Sequence, residues 1–355
     1  MTETPSQASP LIVEQYGAVR RLRMNRPAAL NALNLELIEA LTVAIEKALD
    51  DDRVTTLWLE STSERSFCAG GDVKALAQVL REASADEQRR TGHRYFQAEY
   101  RLDALIAHCP KPIVAWGQGL VMGGGWGLLA GADLRLVTAD ARFAMPEIQI
   151  GLFPDVGAAH FLQQPDWRLG TFLGISGVHI SGREAVALGY AEAVMTPDTA
   201  EALLKALAEG LPLREWQPPK PDGQTQALFD AWSSALDSLP EPVLSDWIDH
   251  IKHHDFKAFN EAAEQWQRGS ALSVALTWHH FKRLRKASRV EALETDLVVG
   301  AQACAEREFL EGVRALLIDK DKSPAWLYPN VTAVPFTMIE RFYRPLPFES
   351  EAIWP

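Results

Sequence analysis

The amino-acid sequence predicts an α/β fold with an extended helical C-terminal region, and three observations carry that expectation. Strand-like alternation and helix-like spacing take turns through the first part of the chain. Glycine-rich turns sit where a strand would hand over to a helix. Beyond a proline-rich stretch at residues 211–223, only helical spacing continues. The chain therefore divides into a core over residues 1–210 and a helical C-terminal region over residues 211–355.

Each element has its own signal. Residues 11–15 and 18–23 alternate apolar and polar positions around Tyr16 and Gly17, which predicts a hairpin. A helix opens near Asn31 and Asn34, with Leu37, Ile38, Leu41, Ile45 and Leu49 recurring at helical spacing. Residues 54–60 read as a strand, 74–100 as mostly helix, and 99–107 as its continuation. Pro110 and Pro112 stop that helix and set up a strand over 113–116. Further short strands are expected at 134–137 and 193–195. The C-terminal region predicts helices over 226–236, 243–253, 258–267, 274–286 and 290–307. No internal repeat is evident.

Composition narrows the class. A net charge of −12 argues against nucleic-acid binding, which needs a basic face, but allows a small anionic ligand. The basic run at Lys282, Arg283, Arg285 and Lys286 reads as a solvated helix face. The chain's three cysteines, Cys68, Cys109 and Cys304, are widely spaced, which fits a reducing, cytoplasmic setting. The first ten residues lack the basic-then-apolar layout of a signal peptide. The apolar run at 113–130 holds six glycines and Gln118, so it reads as a buried strand and helix, with no membrane association. No metal site is suggested, because the pairs His253–His254 and His279–His280 are adjacent and do not face one another on a helix.

Residues able to carry chemistry fall in three places. Ala69, Gly70 and Gly71, within FCAGGD at 67–72, let backbone approach a ligand closely. The segment GLVMGGGWG at 119–127 follows a predicted strand and leads into a helix. Amides at a helix N-terminus point outward unpaired, which suits a phosphate or a developing oxyanion. Its spacing is neither the dinucleotide fingerprint nor the P-loop. The third place, 143–157, holds Glu147 and Asp155 among apolar residues. Carboxylates there are either structurally paired or tuned for acid–base work.

Together, and in this order, these elements resemble the crotonase (enoyl-CoA hydratase/isomerase) superfamily, whose members bind acyl-CoA thioesters. The resemblance spans residues 10–200 and rests on MNRPAALNAL at 24–33, FCAGGD, the glycine turn at 123–125 and MPE at 145–147. It implies a crotonase-type spiral of ββα units and a homo-oligomer, either a trimer or a dimer of trimers. It also implies that the amides of Gly71 and Gly124 form the oxyanion hole for the thioester carbonyl. Coenzyme A would enter as part of the substrate, with no separate cofactor. Its nucleotide would lie along Ala28, Leu30, Ala69 and Gly70. Many crotonases carry a lysine where this chain has Ala28; Lys74 is the candidate replacement, against the simpler reading of a surface lysine.

Hydratases of this family use two glutamates, one just after the glycine turn and one in the later x-Pro-Glu segment. Glu147 fills the second place, whereas Gly127 occupies the first. A hydratase without that carboxylate lacks half its acid–base pair. IGLFPDVG at 150–157 and FLEGVRALLIDKD at 309–321 resemble instead the 3-hydroxyisobutyryl-CoA hydrolase branch, extending the resemblance over nearly the whole chain. That branch implies a thioesterase of valine catabolism. Glu147 would activate water or attack the carbonyl, and Asp155 would contact the substrate hydroxyl or orient the water. Glu99 falls where such hydrolases carry an acidic substrate-contacting residue, or else is a solvated helix position.

Two departures bear on the acyl pocket: Ala158, Ala159 and His160 follow the FPDVG run, and Trp126 replaces a small aliphatic residue. His160 itself reads as packed or solvated rather than catalytic. The rivals are an enoyl-CoA hydratase or isomerase working through Glu147 alone, and a non-catalytic acyl-CoA-binding protein.

Overall fold

The computed structural model describes residues 9–354. Residues 1–8, most of the stretch read above as unlike a signal peptide, lie outside them. The expected hairpin is formed by β1 (Leu11–Tyr16) and β2 (Val19–Met24), antiparallel, with Tyr16 opposite Val19. Between β2 and its parallel neighbour β3 (Thr56–Ser61) runs α1 (Leu35–Leu49). The Asn34 side chain caps α1 by accepting from the Leu37 amide, and Leu37, Ile38, Leu41 and Ile45 bury one face.

From β3 onward the chain repeats one move: a strand in a larger sheet, a short strand in a smaller one, then a helix. After β3 come β4 (Ser66–Cys68), α2 (Val73–Leu80) and α3 (Ala85–Ala107). Next are β5 (Ile113–Gly117), β6 (Leu120–Met122) and α4 (Gly124–Gly131), and then β7 (Leu134–Val137) and β8 (Arg142–Ala144). With β9 (Ile180–Ser181) and β10 (Ala193–Val194), the larger sheet is ordered β1-β2-β3-β5-β7-β10 and the smaller β4-β6-β8-β9. This is the expected spiral of ββα units. Sequence periodicity missed the whole smaller sheet, because its strands are two or three residues long and offer no alternation to count.

The apolar run at 113–130 becomes β5, β6 and the buried helix α4. No described helix is long and apolar enough to cross a membrane. The helix expected over 74–100 is two helices. α2 stops at Leu80, and α3 restarts after Ser84, whose side chain accepts from the Glu87 amide.

Four helices follow β8, interrupted by β9 and β10: α5 (Ala158–Phe161), α6 (Trp167–Ser176), α7 (Gly182–Ala187) and α8 (Pro197–Ala208). The C-terminal region is built from α9 (Gly223–Asp237), α10 (Leu244–Lys252), α11 (Lys257–Arg268), α12 (Ala271–Arg283) and α13 (Arg289–Cys304). α14 (Arg307–Val313), a π-helical turn at Arg314–Ile318 and α15 (Phe336–Arg341) complete it. The helix expected over 290–307 thus ends at Cys304, with a new one starting at Arg307.

These helices share a continuous buried core with the first part of the chain. α13 lies along α3, and glycines allow the approach: a Cβ on Gly300 would sit 3.0 Å from the Phe96 ring. The tail then runs over the outer face of α3. Arg90 covers the Phe348 ring, His93 Nε2 lies 2.7 Å from Ser350 Oγ, and Arg101 pairs with Glu351 at 2.8 Å.

One position tests the packing of α4 against β4. A Cβ on Gly125 would collide with the backbone carbonyl of Cys68, where no flexible side chain can yield. Overpacking of this kind costs about 1–3 kcal/mol. Gly125→Ala should lower the unfolding free energy measured in urea by that amount, whereas Gly223→Ala, with open space around it, should not lower it.

Candidate active site

Two backbone segments meet where β4 and β6 end. Gly70 (φ +96°) and Gly123 (φ +51°) adopt conformations that favour glycine, and a Cβ on Gly70 would lie 3.5 Å from the Gly124 nitrogen. Gly71 is pinned from the other side. The Leu33 amide donates to Gly70 O and the Asp72 amide to Leu33 O, both at 2.8 Å. The Tyr95 hydroxyl donates to Leu33 O at 2.5 Å and accepts from the Asp72 amide at 2.9 Å. Among the described residues, the amides of Gly71 and Gly124 donate to no backbone group. Gly124 also opens α4, so the positive end of the helix dipole stands behind its N–H.

Both glycines line a cavity of about 270 Å³. Glu99 reaches it from α3, Glu147 from the 3-10 turn Glu147–Ile150, and Asp155 from the loop that follows. All three are buried, at 2%, 7% and 5% exposure. The solvated alternative for Glu99 is therefore set aside. A Cβ on Gly124 would collide with Glu99 Oε1, and one on Gly123 would lie 2.7 Å from Glu147 Oε1. Asp155 Oδ2 accepts a 2.6 Å hydrogen bond from the Tyr100 hydroxyl. Glu147 Oε2 has no partner among the described residues.

Burial governs the charges. It pushes Glu99 and Glu147 well above the ordinary carboxylate range, and the nearby Asp155 charge pushes both further. Asp155 is raised to about 7, chiefly by burial, with the Tyr100 hydrogen bond opposing and Asp296 adding to the rise. Asp103, one turn beyond Glu99, is also fully buried and raised, and neither of its oxygens has a partner among the described residues.

The missing carboxylate at position 127 has a steric counterpart. A Cβ on Gly127 would lie 2.8 Å from Val156 Cβ and 3.3 Å from Asp103 Oδ1. Val156 directly follows Asp155, so the loop that delivers Asp155 fills the space where a side chain at 127 would begin.

The remaining candidates are placed as follows. Ala69, Gly70 and Lys74 line the cavity, Lys74 as an exposed side chain. Ala28 is exposed on the turn Pro27–Ala29, and Leu30 accepts from the Ala69 amide at 3.1 Å; neither is part of the cavity wall. His160 Nδ1 faces Ala287 O at 2.9 Å, away from the cavity. The expectation that Trp126 reshapes the acyl pocket is corrected. Its ring is buried edge-on against Phe143 and Tyr190 and does not reach the cavity.

Sequence reasoning also missed part of the wall. Leu316 and Leu317, from the π-helical turn, line the cavity together with Phe96, Ile150 and Leu152. The C-terminal region therefore closes the cavity of its own chain. Glycines permit that docking: a Cβ on Gly312 would lie 2.6 Å from Ile150 Cα. The run at 309–321 was visible as a motif, but its meeting with the 147–151 turn is a tertiary contact that no local signal encodes.

The chain matches the enoyl-CoA hydratase/isomerase family model over residues 19–343. The mitochondrial 3-hydroxyisobutyryl-CoA hydrolase of Gallus gallus is 30% identical over 352 residues, covering 96% of this chain and 90% of its own. The human protein of that name is 29% identical over 338 residues, covering 92% and 86%. Among solved structures, an enoyl-CoA hydratase from Rhodobacter sphaeroides aligns with a TM-score of 0.86 at 31% identity, covering 95% of this chain and 98% of its own. A carnitinyl-CoA dehydratase from Mycobacterium thermoresistibile gives 0.81 at 27%, covering 96% and 98%.

The raised Asp155 sets a pH test. A carboxyl held near 7 in the fold, against an ordinary 3.8, binds its proton more tightly folded than unfolded. Its stabilisation is present in full below about pH 4 and is lost as pH rises through about 7. Urea unfolding of the parent and of Asp155→Asn at pH 5 and pH 8 should show the parent losing ground to the variant at the higher pH. Parallel pH dependence in the two proteins would refute the buried-acid description.

Proposed function

The chain belongs to the enoyl-CoA hydratase/isomerase family, and within it we propose that this protein is an acyl-CoA thioester hydrolase acting on 3-hydroxyisobutyryl-CoA. Near full-length similarity to hydrolases of that name supports the reading. Fold likeness to proteins titled hydratase and dehydratase does not decide the chemistry, because the same fold hosts many reactions. The observation that carries the proposal is the placement of carboxyl groups. No carboxylate comes from position 127, which Val156 closes off, while Asp155 enters the cavity that Glu147 also lines.

The thioester carbonyl oxygen accepts from the Gly71 and Gly124 amides, which stabilise the tetrahedral oxyanion; losing one such donor costs about 10²–10³ in rate. Glu147, with one oxygen unpaired, takes a proton from water as the water oxygen bonds to the carbonyl carbon. Alternatively, its carboxylate attacks that carbon and water hydrolyses the resulting anhydride. In the first route the C–S bond breaks as the proton held by Glu147 passes to sulfur, so coenzyme A leaves as a thiol. In the second it leaves as the thiolate and takes up a proton released when water hydrolyses the anhydride. Asp155 and Glu99 receive the substrate hydroxyl, and Phe96, Leu152, Leu316 and Leu317 supply the apolar wall for the branched carbons. Lys74 meets the CoA phosphates at the mouth, with the nucleotide along Ala28, Leu30, Ala69 and Gly70. No separate cofactor is needed for this chemistry. The proposal extends, by family resemblance, to a homo-oligomer of the trimeric type and, on the strength of three free thiols, to a reducing, cytoplasmic compartment.

A thiol-release assay on 3-hydroxyisobutyryl-CoA, with crotonyl-CoA run in parallel, tests the reading. Turnover should fall by about 10²–10⁴ in Glu147→Gln. Asp155→Asn should lower kcat/KM more for the hydroxylated thioester than for isobutyryl-CoA. Loss of the enoyl absorbance of crotonyl-CoA without free thiol would overturn the proposal in favour of a hydratase. Binding without turnover of any acyl-CoA would favour a non-catalytic protein.

A further inference from the structure

Asp155 stands in a segment with unusual backbone. Val156 has φ +52° and Gly157 has φ +75°. Left-handed backbone at a β-branched residue is strained and persists only where its surroundings hold it. Both ends of this segment are held by one pair of side chains from the C-terminal region. The Phe153 ring meets the His280 imidazole edge to face at 4.9 Å. The Gly157 amide donates to Asp296 Oδ2 at 2.8 Å. Asp296 Oδ1 and His280 Nε2 are 2.7 Å apart, and His280 Nδ1 faces the Tyr343 hydroxyl at 3.1 Å. His280 and Asp296 are both 0% exposed.

Hydrogen-bond roles close without a conflict. A neutral imidazole has one donor and one acceptor nitrogen. With the proton on Nε2, it donates to Asp296, and Nδ1 accepts from the Tyr343 hydroxyl. Asp296 then accepts on both oxygens, once from the ring and once from the loop. Tyr343 lies under the Arg283 guanidinium, 4.8 Å from the ring centre, so the chain of contacts runs from the basic face to the Asp155 loop.

We propose that His280 and Asp296 form a positioning clamp that sets the Asp155 loop against the substrate cavity. Neither residue lines the cavity, so their effect passes through Asp155. A buried polar pair is weak evidence for stability in general; this pair bonds and packs against the two ends of the strained segment. The groups that interact with Asp155 are Tyr95, Glu99, Tyr100 and Asp103 from α3, Glu147 from its turn, and Asp296 and Cys304 from α13. Of these, Asp296 adds to the burial that keeps Asp155 a weak acid. The clamp's catalytic consequence rests on the proposed hydrolase reading, while its structural part does not.

Two measurements test it on the full-length protein. Hydrogen exchange at residues 153–157 should accelerate at least about tenfold in Asp296→Asn and in His280→Gln, with α1 and the larger sheet unchanged. In thiol release, Asp296→Ala should lose on the order of 10²-fold in kcat/KM, as expected when a distant change misplaces a reacting group. The same substitution made in Asp155→Ala should lose little more, because the residue being positioned is gone. Asp296→Asn, which keeps the volume, should lower the pH at which the Asp155-dependent limb of the rate profile appears. It also carries the cycle if Asp296→Ala does not fold. Unchanged exchange at 153–157, or fully additive losses in the cycle, would overturn the clamp. If the parent protein releases no thiol at all, the hydrolase reading falls, and the exchange experiment alone decides the clamp.

Discussion

The structure depends on one close approach of backbone to backbone. Cys68 O packs on Gly125 with no room for a Cβ between them, and a Cβ on Gly70 would crowd Met122 O at 3.1 Å. This contact makes the short parallel strands β4 and β6 end together. It also starts α4 at a point where its first amide faces the same cavity as Gly71. α4 is buried on every side and lacks an amphipathic stripe. It can occupy the centre only because a run of glycines lets neighbouring backbone come this near. The free amides, the cavity and the direction from which the carboxyls arrive all follow from that contact.

Around the cavity, donors and acceptors are sorted onto different walls. The Gly71 and Gly124 amides stand where negative charge can develop. Glu99, Glu147 and Asp155 supply acceptor oxygens, and burial keeps all three weak acids. Ionising one of them makes the next harder, so the cluster favours a ligand that brings hydroxyl donors over one that brings negative charge. A thioester with a hydroxyl on its acyl chain presents a carbonyl acceptor to one wall and a donor to the other. A simple enoyl thioester satisfies only the first.

Much of this arrangement can be read in the sequence, for reasons that differ by element. The hairpin, α1 and the larger-sheet strands carry enough residues for alternation or helical spacing to be counted. The glycine turns and the Glu147 and Asp155 segment stand out because glycine and buried carboxylates are unusual in apolar runs. Glu99 and Lys74 could be named but not placed, since a helix position does not say which face meets the cavity. The smaller sheet was hidden by the brevity of its strands. Leu316 and Leu317, the break at Ser84 and the lodging of Trp126 in the core depend on contacts between distant segments. His280 was noted only as half of an adjacent pair, and Asp296 carried no signal.

The glycine at 127 and the long C-terminal region look independent in the sequence, yet the structure ties them together. A side chain at 127 is excluded by Val156, which has left-handed backbone and directly follows Asp155 in the cavity wall. That loop cannot hold such a conformation by local preference, because a β-branched residue resists it. It is held by Asp296 on α13 and by His280 on α12, elements of the C-terminal helical region. The same helices bring Leu316 and Leu317 to the cavity through α14 and the turn that follows it. Presenting a carboxylate from the loop after Glu147 therefore depends on a body of structure that supports the loop. The glycine at 127 and the C-terminal helices are then parts of one arrangement, in which a cavity carboxyl is carried by tertiary contacts rather than by the helix that follows the glycine turn.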